Sequence, residues 1–245
     1  IDQPICDRRG DLICADWGYA YLASTNGSGK SVSLGDYYGM KESFVKNGTL
    51  ATTKTKWTTR KEEDNPAMAY VHNLGSVSNS GKEGFMMLGY DDIYSIEYMY
   101  EKRMGYWKHD GKVTIFDAFE KLRDNYQAIM ERCRAFDELI YDDAEKAGGK
   151  KYAEICSASY RQVISAHKLF TDKEGNLLWF SKENNSNGCV NTVDLTYPSA
   201  PLFLVYNPEL QKAMMTSIFE YSASGRWNKP FPAHDLGTYP IANGQ

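Results

Sequence analysis

The sequence predicts an α+β fold, with a β-rich part over residues 1–110 and a helical part over residues 111–245. Three observations carry that expectation. Aromatic residues make up 13% of the 245 positions, 18 of them Tyr. Tyrosine, apolar in body and polar at its tip, suits half-buried sheet surfaces and clefts for polar ligands. Before Asp110 the apolar residues fall in short runs punctuated by Gly and Asn turn signals. After Asp110-Gly111 they recur at helical spacing. Strands first and helices afterwards point to α+β or to two domains.

Taken in order, Asp11 to Ser24 (DLICADWGYAYLAS) reads as a strand that ends in the turn cluster Thr25-Asn26-Gly27-Ser28-Gly29. Ser31 to Leu50 reads as short β-like pieces broken at Gly35, Gly39 and Asn47-Gly48. Ala67 to Leu74 reads as another strand. Between Gly84 and Trp107 the alternation of Tyr94, Ile96, Tyr98 and Tyr100 predicts a long strand, with helix as the alternative. Thr114 and Asp117 resemble a capping box, with Asp in place of Glu or Gln. From there Ile115, Phe119, Leu122, Tyr126, Ile129, Met130 and Cys133 lie on one helical stripe. A second helix is expected from about Asp137, stopped by Gly148-Gly149. A third is expected from Lys151 to Leu169, where Ala153, Ser157, Ala158 and Ser159 allow close helix approach. A last helix starts at Asn207-Pro208, an N-cap followed by Pro at the first helical position. It carries Leu210, Met214, Ile218 and Tyr221 and stops by Gly225. Between these two helices, Asp172 to Tyr206 reads as a long irregular stretch with a hairpin near Glu174-Gly175-Asn176, and long ordered connections are often functional. There is no internal repeat or low-complexity segment.

Composition narrows the function classes. With 28 basic and 32 acidic residues the net charge is −4, so no basic stripe marks a nucleic-acid partner. No run approaches the roughly 18 apolar residues of a membrane-spanning helix. The five Cys (Cys6, Cys14, Cys133, Cys156 and Cys189) form no C-x-x-C pair. Mostly buried free thiols are the expectation, rather than a disulfide framework or a zinc site. The start at Ile1, without a signal-peptide pattern, and the end at Gln245 suggest a piece of something longer.

Several motifs resolve into ordinary turn chemistry. Asn26-Gly27-Ser28-Gly29-Lys30-Ser31 ends like a phosphate-binding loop, but Ser24 stands where that motif needs Gly, and VSLGDYYG does not read as the helix that should follow. The four His (His72, His109, His167 and His234) form no metal-ligand spacing. His109 reads as a solvated turn residue and His167 as a satisfied core histidine on the third helix. There is no G-x-S-x-G elbow. Cys189 as a nucleophile would need a basic neighbour or a helix start, and neither is evident in the sequence. Three segments do concentrate polar chemistry beside Gly, Pro and aromatics: residues 89–95, 186–198 and 233–240. Each offers a carboxylate among hydrogen-bonding groups, suited to general acid–base work in a polar cleft or to plain turn capping.

The same segments occur in the order YDDIYSIEY, YRQVISAHKL, SNGCVNTVDLTYPS, YNPEL and HDLGTYP. This series resembles the fungal and bacterial extracellular glutaminases often called glutaminase A. The resemblance covers most of the chain and is strongest from Phe85 to Gln245. It implies the end of a β-sandwich region followed by the first helical hairpins of a partial (α/α)6 toroid. The remainder of a longer parent chain would complete that toroid. It also implies hydrolysis of L-glutamine to L-glutamate and ammonia, a small-molecule substrate, no cofactor, no metal and export to the periplasm or the medium. The residue roles come from chemistry rather than from the family. Asp194 or Asp235 is the candidate base or acid, and His234 orients a carboxylate or donates to the amide oxygen. Asp91, Arg161, Asn187 and Tyr239 are candidate substrate-binding groups, Arg161 being able to hold an α-carboxylate bidentately. A carbohydrate-active protein on the same toroid and a non-catalytic binding module are the competing readings. The sequons at Asn26, Asn47 and Asn184 are compatible with surface turns.

Overall fold

The computed structural model describes residues 5–6, 17–25, 27–50, 65–182 and 187–244. They form two compact units. One reaches to Asp92; the other starts at Ile93 and takes in Ile5 and Cys6. Strands open the chain and helices follow, so the class is α+β.

The first unit contains β1 (Tyr19–Ser24), β2 (Lys30–Asp36), α1 (Tyr37–Asn47), β3 (Pro66–His72) and β4 (Met86–Asp91). β1 pairs antiparallel with β4, and β2 with β3. Of the first strand's expected span, residues 11–16 lie outside the described residues, as does Asn26 in the turn between β1 and β2. Of the short β-like pieces expected from Ser31 to Leu50, β2 forms up to Asp36 and the helix α1 takes the place of the rest. Asp36 caps it by accepting from the Gly39 N–H at 2.8 Å, and Gly48, with φ 68°, ends it. Gly39 therefore lies inside an element it was expected to break. Trp17, 1% exposed, donates its indole N–H to the Asp92 carbonyl at 2.7 Å, and the Tyr90 hydroxyl donates to the Trp17 carbonyl. Gly18 has φ 88°, and a Cβ there would stand 2.2 Å from the Asp91 carbonyl oxygen, so only glycine fits.

In the second unit the long strand expected up to Trp107 is broken by left-handed backbone at Ile93, Met99 and Tyr100 (φ 61°, 49° and 71°). These turns divide it into β5 (Ile96–Tyr98) and β6 (Glu101–Arg103), which pair antiparallel. The capping box forms in full and opens α2 (Ile115–Asp124). Thr114 hydrogen bonds hold the Asp117 carboxyl below the usual carboxylate range. The apolar stripe then splits at Asn125, and α3 (Tyr126–Gly148) runs straight through Asp137, where a new helix was expected. α4 (Lys150–Ser165) stops short of Leu169, so His167 opens β7 (His167–Thr171) rather than lying on a helix. β7 and β8 (Leu177–Ser181) form the expected hairpin. α5 (Val193–Tyr206) occupies the stretch read as irregular. Pro198 and Pro201 sit inside it, and each removes a helical N–H. α6 (Pro208–Ala223) begins as expected, with Asn207 accepting from the Leu210 N–H at 3.3 Å. β9 (Ile241–Ala242) returns to pair parallel with β5.

The main core sets Trp179, Phe203, Ala213 and Met214 against Val163, Ile164, Leu169 and Leu210. It fastens the β7–β8 hairpin to α4, α5 and α6. A second aromatic group, Tyr98, Phe170 and Phe180, meets edge to face at 4.8–6.2 Å between centroids. Burial and a hydrogen bond to Glu220 at 2.6 Å raise the Tyr98 hydroxyl far above its ordinary pKa. Cys6, Cys133, Cys156 and Cys189 are free thiols, with Cys6 buried but Cys133 exposed. Among the described residues no helix is long and apolar enough to cross a membrane.

His167 stacks on Trp179 at 4.9 Å with Nδ1 2.6 Å from the Val163 carbonyl. Burial holds its pKa below the ordinary 6.5. The unfolded chain therefore takes up this proton first, so stability is fully present above about pH 6.5 and is lost as pH falls through the lowered value. The thermal midpoint of the protein is expected to drop between about pH 7.5 and pH 5.5. A His167→Phe variant should show a shallower drop over that range; an unchanged drop would remove His167 as its cause.

Candidate functional site

The site is built where two loops hold each other. β8 ends at Ser181, whose carbonyl accepts from the Asn191 N–H at 2.8 Å. The segment from Gly188 to Val193 then runs alongside residues 234–239. Val190 N–H donates to Gly237, Leu236 N–H to Val190, Tyr239 N–H to Gly188 and Val193 N–H to His234, all at 2.7–3.0 Å. Asn191 locks this pair onto α6. It is fully buried and has left-handed backbone (φ 52°). Its Nδ2 donates to the Met214 carbonyl at 3.1 Å and to Ser217 Oγ at 2.9 Å. Gly237 (φ 119°) is required at the crossing, since a Cβ there would lie 2.6 Å from the Ile241 carbonyl oxygen.

This framework brings together the three residues expected to carry chemistry. Asp235 is buried, and both of its oxygens are engaged. Oδ1 accepts from the Gly237 N–H at 2.8 Å, and Oδ2 lies 2.8 Å from His234 Nδ1. With Asp235 ionised, and so only accepting, Nδ1 is the donor and Nε2 keeps its lone pair in the neutral ring. Asp194, in the first turn of α5, places Oδ1 3.7 Å from Nε2. The imidazole thus stands between a buried carboxylate and an exposed one. A proton taken up at Nε2 gives a cation with an anion on each side.

Cys189 completes the group. Its Sγ, an imidazole nitrogen of His234 and a carboxylate oxygen of Asp235 all lie within 4.8 Å of one another. Such a set could hold a borderline metal ion. Sequence spacing did not reveal it, because 45 residues separate Cys189 from His234 and the basic neighbour sought for the thiol is supplied by the other loop. The only signal was that both segments had been marked as polar.

The other expected residues are placed as follows. Asn187 caps the turn into the site, its Oδ1 accepting from the Cys189 N–H at 2.8 Å. Ser186 and the Asn184 sequon lie outside the described residues. Tyr239 is buried, precedes a cis peptide bond to Pro240 and lies under the ammonium of Lys182 at 4.3 Å. Arg161 pairs with Asp137 across α3 and α4 at 2.7 Å, both side chains being exposed. Its guanidinium is thus already occupied by a carboxylate of this chain. Asp91 ends β4 in the first unit, opposite Tyr19 of β1.

An apolar cleft of about 730 Å³ opens between α5 and α6. Val193, Thr196 and Tyr197 of α5 line it, facing Met215 and Phe219 of α6 and Phe231 of the following loop. Gln211, buried, turns toward this cleft with no hydrogen-bond partner for its Oε1 among the described residues.

Comparison with known proteins gives two family models that meet between residues 143 and 149 rather than at Asp92. The family model described as the Glutaminase A six helical-hairpin domain matches residues 149–245. A model described as a domain of unknown function (DUF5127) matches residues 2–143. Glutaminase A of Aspergillus oryzae is 33% identical over 236 residues, covering 94% of this chain and 34% of its own length. A protein of Arthroderma benhamiae named as a probable glutaminase is 34% identical over 97 residues, covering 40% of this chain and 11% of its own. This chain therefore spans about a third or less of these curated relatives. No solved structure matches it.

Asn191 generates a test of the framework. Asn191→Ala leaves the Met214 carbonyl and Ser217 hydroxyl without their buried donor, at a cost of about 1–3 kcal/mol. Urea unfolding should show that loss of stability. A variant as stable as the parent would mean that the backbone pairs alone hold the loops.

Proposed function

We propose, from the premise that this chain belongs to the glutaminase A family, that it carries an amidohydrolase site. Its reaction is the hydrolysis of the side-chain amide of L-glutamine to L-glutamate and ammonia. The observation that supports this most is the setting of His234, with Asp235 at 2.8 Å from Nδ1 and Asp194 at 3.7 Å from Nε2.

Amide hydrolysis needs a nucleophile at the carbonyl carbon and a proton for the departing nitrogen, since an amide anion is too poor a leaving group. One imidazole serves both needs when its tautomer is fixed. Asp235 holds Nδ1–H, so Nε2 accepts the proton of the attacking group and then returns it to the leaving ammonia. Buried and doubly bonded, Asp235 suits orientation rather than proton exchange with substrate. The exposed Asp194 is better placed to meet a substrate ammonium or to steady the imidazolium. The sequence alone leaves these two carboxylates interchangeable; their difference in burial supports giving them different roles.

The reading extends to a longer parent, because the relatives are about three times the length of this chain. Leu204, Val205 and Phe219 are more than half exposed on α5 and α6. They offer apolar surface on which further hairpins of a six-hairpin toroid would pack. Export to the periplasm or the medium belongs to the same reading.

Ammonia release from L-glutamine by the intact protein tests the assignment. His234→Ala and Asp235→Asn should each lower kcat/KM by about 10²-fold or more. Asp194→Asn should cost less and act partly through KM. A folded protein that releases no ammonia from glutamine would overturn the proposal.

A further inference from the structure

The geometry points to Cys189 as the nucleophile of this site, attacking the substrate amide carbon through its Sγ to form a thioester. The inference rests on the amidohydrolase reading and names the group that reading leaves open. The observation behind it is the convergence of Sγ, the His234 ring and the Asp235 carboxylate within 4.8 Å. A nucleophile beside a base, with the base oriented by a third group, is the signature of an activated thiol. Cys189 is half-buried and His234 half-exposed. Reactive thiols occupy partly accessible sites with a cationic partner, whereas inert ones are sealed in the core. The exposed Cys133, on α3, belongs to no such three-residue group among the described residues.

The alternative use of the same three residues is as ligands of a metal such as zinc. The distances argue against it. Tetrahedral zinc with bonds of about 2.0–2.2 Å to nitrogen and oxygen keeps those ligand atoms about 3.3 Å apart. His234 Nδ1 and Asp235 Oδ2 are 2.8 Å apart, a hydrogen-bond distance. The other Asp235 oxygen is committed to the Gly237 N–H. The carboxylate is spent on fixing the ring rather than offered to an ion.

The step balances without a co-reactant. The Cys189 thiol passes its proton to the imidazole of His234, and Sγ forms a bond to the amide carbon. The C–N bond breaks, and ammonia leaves with the proton held by the imidazolium. Water, deprotonated by the same imidazole, then attacks the thioester carbon, releasing glutamate and restoring the thiol. The sum is glutamine plus water giving glutamate plus ammonia.

Two measurements on the intact protein decide it. The first is iodoacetamide labelling near pH 7, read site by site by peptide mass spectrometry. Cys189 should label at least about tenfold faster than Cys133, and His234→Ala should abolish that advantage while leaving Cys133 unchanged. Equal labelling of the two thiols, or no response to His234→Ala, would overturn the inference. So would a stoichiometric metal ion in the purified protein, released with the thiol by a chelator. The second is ammonia release by Cys189→Ala and Cys189→Ser, each expected to fall at least about 10²-fold with the far-UV spectrum unchanged. A Cys189→Ala variant as active as the parent would remove the thioester and leave the glutaminase reading standing. If the parent itself is inactive on glutamine, that reading falls and the thioester with it.

Discussion

Everything at the candidate site depends on the reciprocal backbone hydrogen bonds between residues 188–193 and 234–239. Neither segment is a strand of any length, and neither could hold a side chain still by itself. Joined to each other, and fastened to the body of the second unit by Asn191, they become as fixed as a sheet. That fixity has chemical content. A carboxylate at 2.8 Å from a ring nitrogen selects a tautomer, and it does so only while both backbones keep their places. The buried polar side chain of Asn191 carries the strongest constraint, because it has no apolar substitute and no water to turn to.

The two acidic groups at the imidazole differ in burial rather than in residue type. Asp194 and Asp235 are chemically identical, and both flank the same imidazole. One is enclosed with both oxygens bonded; the other is exposed in the first turn of α5. Enclosure makes a carboxylate a positional device, and exposure leaves it free to meet a ligand. The cleft between α5 and α6 is apolar, with one buried amide, Gln211, turned toward it.

How much of this was legible in the sequence varies by element. The capping box at Thr114, the Asn207-Pro208 start and the β7–β8 turn were read correctly, because each is set by local chemistry within a few residues. His234, Asp235 and Asp194 were found as residue types in polar segments, but their meeting was not visible across 40 residues of chain. Cys189 was set aside for want of a basic neighbour that the fold supplies from elsewhere. The helix α5 was hidden by Pro198 and Pro201, yet it forms with Phe203 buried and Leu202 partly buried in the main core, and tertiary burial outweighs local propensity. α1 was hidden by Gly39, though Asp36 and Gly48 cap it locally. Left-handed backbone at Ile93, Met99 and Tyr100 broke a strand whose alternation was otherwise sound, since such residues give no sign of a positive φ.

The parallel pairing of β9 with β5 sets the order in which these parts can exist. Asn243 donates to Glu97 at 2.7 Å across 146 residues of sequence, and the residues just before it carry half of the site. During synthesis the α3–α4 hairpin and the β7–β8 hairpin can form from neighbours already made, since their contacts are local. His234 and Asp235 leave the ribosome after these hairpins, and the β5–β9 ladder closes after them. Throughout the making of this unit, Cys189 therefore emerges as an ordinary thiol. It meets its imidazole only when the chain has come full circle to the strand from which the unit began.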